Sequence, residues 1–228
     1  MVKVKICGVT NLEDARKACD YGADLIGFIF IGGTPRAVEG DAVRNIIMGL
    51  PGDCKNRVGR VGLFRDMKLE RIAEAVSFCD LDHVQLHGSE TPGDCGSLRT
   101  ILEQKYHRQV KIIKAFKVKE RILPHGHAAQ KQYGPGDYDA ADYFVFDTFH
   151  PDIPGGTGES FDWGVLIREK DRIKKPFFIA GGLRPENVSD AVKAVRPYGV
   201  DVSSGVEKSP GKKDEKLLKE FVENAKKT

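Results

Sequence analysis

The sequence predicts an α/β protein folded as a single (β/α)8 TIM barrel over residues 1–228. Short apolar segments alternate with amphipathic ones along the whole chain, which is the pattern of repeated strand–helix units. About eight such pairs fit into 228 residues, close to the ~250 usual for this barrel. Several apolar segments are β-branched or aromatic with little polar alternation, as in parallel strands covered on both faces. An open doubly wound sheet is the alternative. No GxGxxG follows the first strand, and eight units are many for an open sheet.

The candidate strands are Val2–Ile6, Asp24–Phe30, Arg57–Phe64, His83–Leu86, Val110–Phe116, Tyr143–Asp147, Pro176–Ala180 and Gly199–Ser203. Helical patterns fill the gaps. Thr10-Asn11-Leu12-Glu13 has capping-box spacing, Leu12, Ala15 and Cys19 share a face, and Gly22 can stop the helix. Ile72, Ala75, Val76 and Cys79 form a stripe in the middle of the chain. Pro185 suits a first helical position, followed by a Val188, Ala191, Val192, Val195 stripe. From Lys212 to Lys227, Leu217, Leu218, Phe221 and Val222 lie on one side and the charges on a solvated face. Pro124 to Ala141 is the least regular stretch and reads as a surface excursion. No low-complexity linker divides the chain.

Composition excludes several classes. Net charge is +3, with basic residues spread among acids, so no nucleic-acid arm is expected. No apolar run is long enough to span a bilayer, and the N-terminus does not read as a signal peptide. Five cysteines, an odd number at irregular spacing without CxxC, read as free thiols in a reducing cytoplasm. Six histidines show no metal-ligand spacing, so neither metal nor cofactor is expected.

In a barrel of this kind the C-terminal strand ends and the loops after them build the active site. Cys7 ends the first strand there, as a base or as a plain buried thiol. Asp147 ends Tyr143-Phe144-Val145-Phe146, where a carboxylate is costly if buried unpaired; a helix-capping role is the bland alternative. Facing each other across one pocket, the two would make an acid/base pair for proton transfer on a sugar phosphate. Arg36 can clamp a carboxylate in a bidentate pair or form a surface salt bridge. His87 can bind substrate or serve structure, and Asp201 can point inward or bind neighbouring backbone. Gly156, Gly182, Ser204 and Gly205 lie in three loops with bare amides, suited to phosphate or simply to tight turns.

KICGVT, GFIF followed by TPR, VQLHG, FVFDT, GGTGESFDW, AGGLRPENV and DVSSGVEKSPGKKD occur in that order. Over nearly the whole chain the set resembles the phosphoribosylanthranilate isomerases of tryptophan biosynthesis. The resemblance implies an Amadori rearrangement on a (β/α)8 barrel. It implies Cys7 as general base, Asp147 as general acid, Arg36 on the anthranilate carboxylate, and phosphate at Gly156, Gly182, Ser204 and Gly205. It further implies a small phosphorylated substrate, no nucleic acid or membrane, a cytoplasmic location, and a monomer or homodimer. Thr34 stands where the family commonly has Ser, Glu159 where it often has Lys, and Arg65 where it more often has an apolar residue. The rivals are the barrel isomerase of histidine biosynthesis and a non-catalytic sugar-phosphate-binding barrel. The first has Asp where this chain has Cys7; the second predicts loss of Cys7 or Asp147.

Overall fold

The structure, a computed structural model, describes residues 1–118, 122–124, 133–147 and 163–228. Its strands are β1 (Lys3–Cys7), β2 (Leu25–Ile29), β3 (Gly59–Phe64), β4 (His83–Leu86), β5 (Lys111–Val118), β6 (Ile122–Pro124), β7 (Tyr143–Asp147), β8 (Phe177–Ala180) and β9 (Gly199–Val202). Eight of them run parallel in the order β4-β3-β2-β1-β9-β8-β7-β5, and β4 pairs with β5, which closes the barrel. β6 is a short antiparallel addition beside the end of β5. The helices are α1 (Leu12–Asp20), α2 (Gly40–Met48), α3 (Gly52–Arg57), α4 (Leu69–Cys79), α5 (Pro92–Tyr106), α6 (Gly164–Glu169), α7 (Val188–Val195) and α8 (Glu215–Lys226). They are not distributed one per strand. Two follow β2, and between β5 and β7 the only helical element among the described residues is a 3-10 turn, Pro135–Asp137.

Strand alternation sorts the core into two layers. Val4, Ile6, Ile26, Phe28, Val84, Leu86, Ile112, Phe116, Phe144 and Phe146 pack outward against the helices. Leu25, Val61, Ile113, Ala115, Val145, Phe178 and Ala180 fill the inside of the barrel. β1 inverts the usual meaning of apolar/polar alternation. Its Val4 and Ile6 face the helices, while Lys5, fully buried, points into the barrel and is paired there.

Four local expectations are corrected. The α1 cap is Asn11, whose side chain accepts from Asp14 N, while the Thr10 hydroxyl instead donates to Gly211 O. α7 begins at Val188, beyond Pro185, because Asn187 accepts from Arg184 N and donates to Gly182 O, holding the preceding turn apart from the helix. α8 begins at Glu215. Lys212–Lys213 form β11 and pair with β10 (Glu207–Ser209), because Lys213 is drawn inward to buried acceptors. Tyr138, within the expected surface excursion, is 1% exposed and donates to Glu90 O; the excursion's 125–132 segment lies outside the described residues.

The thiol expectation is corrected as well. Cys19 in α1 and Cys54 in α3 are joined by a disulfide, with Cα atoms 5.9 Å apart, while Cys7, Cys79 and Cys95 are free. The pairing comes from α1 and α3 packing side by side outside the barrel, a contact that sequence spacing does not reveal.

Candidate active site

β1 carries Cys7 to the C-terminal mouth of the barrel with its thiol 5% exposed. The next residue, Gly8, has φ +71°, and a Cβ there would sit 2.9 Å from both Arg36 Cδ and Ser203 Oγ. Only glycine combines that turn with so close an approach of a side chain from the loop after β2 and another from the end of β9. β9 lies beside β1 in register, with Lys5 opposite Asp201 and Ile6 opposite Val202. Asp201 therefore points inward, as one of the two sequence readings had it, and receives a 2.8 Å hydrogen bond from Lys5 Nζ on its Oδ2. Its other oxygen, Oδ1, is buried and makes no hydrogen bond among the described residues, and the same holds for Ser203 Oγ and Gln85 Oε1. Burial pushes the Asp201 carboxyl up, with Lys5 and His87 opposing and Asp147 adding to the rise.

Across the mouth, His87 follows β4 and Asp147 ends β7. His87 Nε2 lies 3.6 Å from Asp147 Oδ2, and both side chains are about four-fifths buried. Gln85, two residues earlier on the same strand face, places its Nε2 3.0 Å from His87 Nδ1. With the Gln85 amide donating, the imidazole keeps its proton on Nε2, the nitrogen turned to Asp147.

Arg36 is in an ion pair, and the pair is not a surface one. Its Nε and Nη2 donate to both oxygens of Glu207, at 2.6–3.1 Å, and the Glu207 side chain is 4% exposed. Nη1 makes no hydrogen bond among the described residues. Glu207 is also held by Lys213 Nζ at 2.9 Å, and the same ammonium donates to Cys7 O and Ser203 O. One lysine thereby connects the backbone of Cys7 to the carboxylate that orients Arg36. Neither Glu207 nor Lys213 is singled out by sequence reasoning, because in GVEKSPGKKD they look like members of an ordinary charged run. The available signal was their place after β9, on the barrel's functional end.

The loops after β8 and β9 touch. A Cβ on Gly205 would fall 1.9 Å from Leu183 O, so this backbone lies directly against the loop that carries Gly182. Gly182 and Ser204 are exposed, and Gly205 is half-buried between them and the core. Of the expected phosphate set, Gly182, Ser204 and Gly205 are brought together at one rim; Gly156 lies outside the described residues, as does Glu159. Arg65 is exposed beside Asp66 at the end of β3, 3.7 Å from its carboxylate. Among the described residues no group of three His, Cys, Asp or Glu side chains could hold a metal, and no helix is long and apolar enough to cross a membrane. A surface depression of about 620 Å³ near Met1, Arg196 and Tyr198 contains none of the site residues.

The family model for N-(5'-phosphoribosyl)anthranilate (PRA) isomerase matches residues 4–224. This chain belongs to the phosphoribosylanthranilate isomerase family. An N-(5'-phosphoribosyl)anthranilate isomerase from Geobacter sp. (strain M21) is 42% identical over 227 residues, covering 100% of this chain and 99% of that protein. Among solved structures of the family, monomers of the dimeric isomerase from Thermotoga maritima align at 35% identity and TM-score 0.77, over 100% of both chains. A phosphoribosylanthranilate isomerase in complex with reduced 1-(o-carboxyphenylamino)-1-deoxyribulose 5-phosphate aligns at 35% identity and TM-score 0.78, again over 100% of both chains.

Proposed function

We propose that Cys7 and Asp147 are the base and the acid of the isomerisation that gives this family its name. The reaction converts N-(5-phosphoribosyl)anthranilate to 1-(2-carboxyphenylamino)-1-deoxyribulose 5-phosphate, an Amadori rearrangement in tryptophan biosynthesis. Asp147, as the carboxylic acid, gives its proton to the furanose ring oxygen. The C1–O bond breaks as the nitrogen lone pair forms the Schiff base. Cys7, as thiolate, takes the proton from C2. The C2–H electrons form the C1–C2 double bond, and the C=N electrons return to nitrogen. The resulting enolamine takes a proton at C1 and loses its enol proton, leaving the C2 ketone.

The observation that carries this reading is the placement of Cys7 and Asp147 at the ends of β1 and β7, on the inner face of one barrel mouth. Asp201 supports the shared location, since its carboxyl senses the charges of both His87 and Asp147 while it is paired to Lys5 beside Cys7. Its free oxygen and the Ser203 hydroxyl offer buried partners for substrate hydroxyls. Arg36 takes the anthranilate carboxylate through the guanidinium edge that Glu207 leaves open. His87 orients Asp147, and Gly182, Ser204 and Gly205 present amides to the phosphate, with Gly156 completing the loop set. A monomer or homodimer in the cytoplasm fits this reading, and light scattering distinguishes the two assemblies.

The test follows loss of anthranilate-type fluorescence from freshly made phosphoribosylanthranilate with EDTA present. Wild type is expected to turn over without added metal. Cys7→Ser and Asp147→Asn are each expected to lower kcat by about 10²- to 10⁴-fold with KM little changed. Near-normal turnover in either variant removes that residue from its role.

A further inference from the structure

The activated state of the proposed base raises a problem. A thiolate is needed at Cys7, yet the side chain is almost wholly buried, and burial disfavours the charged form. Whatever makes the thiolate accessible must be in the barrel with it.

Lys5 is two residues earlier on β1 and shares the inward face. It is fully buried, with its ammonium 2.8 Å from Asp201. Gly27, opposite Cys7 on β2, locates the two side chains relative to one another. A Cβ on Gly27 would come 3.1 Å from Cys7 Sγ and 3.3 Å from Lys5 Cε, so sulfur and lysine stem converge over the same point. Other charges also face Cys7. Lys213 reaches its carbonyl from β11, Arg36 approaches from the loop after β2, and Asp201 stands on β9. Lys213 and Arg36 share the single carboxylate of Glu207, and Lys213 meets the Cys7 carbonyl; Lys5 is the cation whose stem lies against the sulfur itself.

We propose that Lys5 is the positioning residue of the base: its buried ammonium is the countercharge of the Cys7 thiolate, and Asp201 sets how much of that charge the sulfur receives. In the resting site Lys5 is committed mainly to Asp201, and the thiol keeps its proton. When the thiolate forms, the ammonium is shared between two anions, and the one net negative charge of that trio faces the one net positive charge of the Arg36–Glu207–Lys213 group beside Cys7. Burial opposes the Lys5 charge, but Asp201 and Cys7 outweigh it and hold its pKa above the ordinary value, so it stays cationic throughout the working range. For Cys7, burial pushes the thiol up, Lys5 pulls it down and Asp201 pushes it up again. Two substitutions therefore have opposite expected effects.

The proposal rests on Cys7 being the base, and the experiment separates the two statements. Native protein is alkylated with iodoacetamide from pH 6 to 10, and modification of Cys7 is followed by mass spectrometry beside kcat/KM at each pH. Peptide mapping separates Cys7 from Cys79 and Cys95, whose thiols burial pushes up to about 11 and about 12. Lys5→Gln is expected to displace the rising limb of Cys7 alkylation upward by about one pH unit or more, with kcat/KM at neutral pH falling about tenfold or more. Lys5→Arg is expected to recover much of the loss. Asp201→Asn is expected to displace the alkylation limb downward whatever it does to substrate binding. A merely structural Lys5 would move neither limb. An unshifted limb in folded Lys5→Gln overturns the proposal. Where that variant does not fold, an unshifted or upward limb in Asp201→Asn overturns it. Unimpaired turnover of Cys7→Ser removes the base assignment instead, while the alkylation limbs still report whether Lys5 acts on the sulfur.

Discussion

Arg36 and Glu207 form a mostly buried pair whose two members call for different tests. Arg36→Ala is expected to act mainly through KM, because in the proposed function the guanidinium meets a part of the substrate far from the migrating proton; a loss confined to kcat would place it in the chemistry. Glu207 has a pH signature. Burial pushes its carboxyl up, but hydrogen bonds from Arg36 and the charge of Lys213 outweigh that and hold it below the ordinary range. A carboxylate with a depressed folded-state pKa stabilises the fold above its unfolded value and loses that contribution as pH falls through the folded value. The urea midpoint of Glu207→Gln is therefore expected to lie below wild type at pH 7, with the gap closing below about pH 4, through the ordinary glutamate range. A gap that persists in acid would assign the stabilisation to packing. The buried Lys5–Asp201 pair has a harsher rule, since removing one partner from a buried pair typically costs about 3–5 kcal/mol.

At the scale of elements, the contact between the loops after β8 and β9 offers a direct test. Gly205→Ala forces a methyl group against Leu183 O, and overpacking of this kind typically costs about 1–3 kcal/mol. Separation of the two loops is expected to raise KM for the phosphorylated substrate and to weaken inhibition by inorganic phosphate, with kcat changed less. Unchanged KM in a folded variant would move the phosphate elsewhere. All eight candidate strands end within about two residues of the observed ends, because strand identity here follows from runs of β-branched and aromatic residues. Element starts were less legible. The α1 cap and the onset of α8 were displaced by tertiary partners, Gly211 for Thr10 and Cys7 for Lys213, and the onset of α7 by the turn that Asn187 holds to Gly182. Local spacing carries no record of such partners.

At the scale of the whole molecule, the barrel was legible and its interior was not. Eight apolar segments separated by amphipathic ones leave few architectures open, and the ring closes through β4 and β5 as such a barrel must. Cys7, Asp147, His87 and Asp201 could be singled out in the sequence as candidates because they sit at or near strand ends. Lys5, Glu207 and Lys213 escaped because charged residues in a sequence read as solvated until a partner is seen. The disulfide escaped for a similar reason, since two cysteines 35 residues apart meet only once the helices are placed. Denaturation in iodoacetamide without reductant is expected to label three cysteines, and prior reduction to raise the count to five, by intact mass. Five labels without reduction would open the bridge.

The pairing of Lys5 with a carboxylate 196 residues further along also bears on synthesis. The first strand leaves the ribosome carrying a charge made for the interior, and the residue that neutralises it is among the last to follow. A nascent or broken chain lacking β9 has an ammonium where the barrel axis should be and nothing to meet it. Such a fragment is electrostatically barred from closing into a stable near-barrel, which leaves it open to chaperones and proteases until β9 arrives.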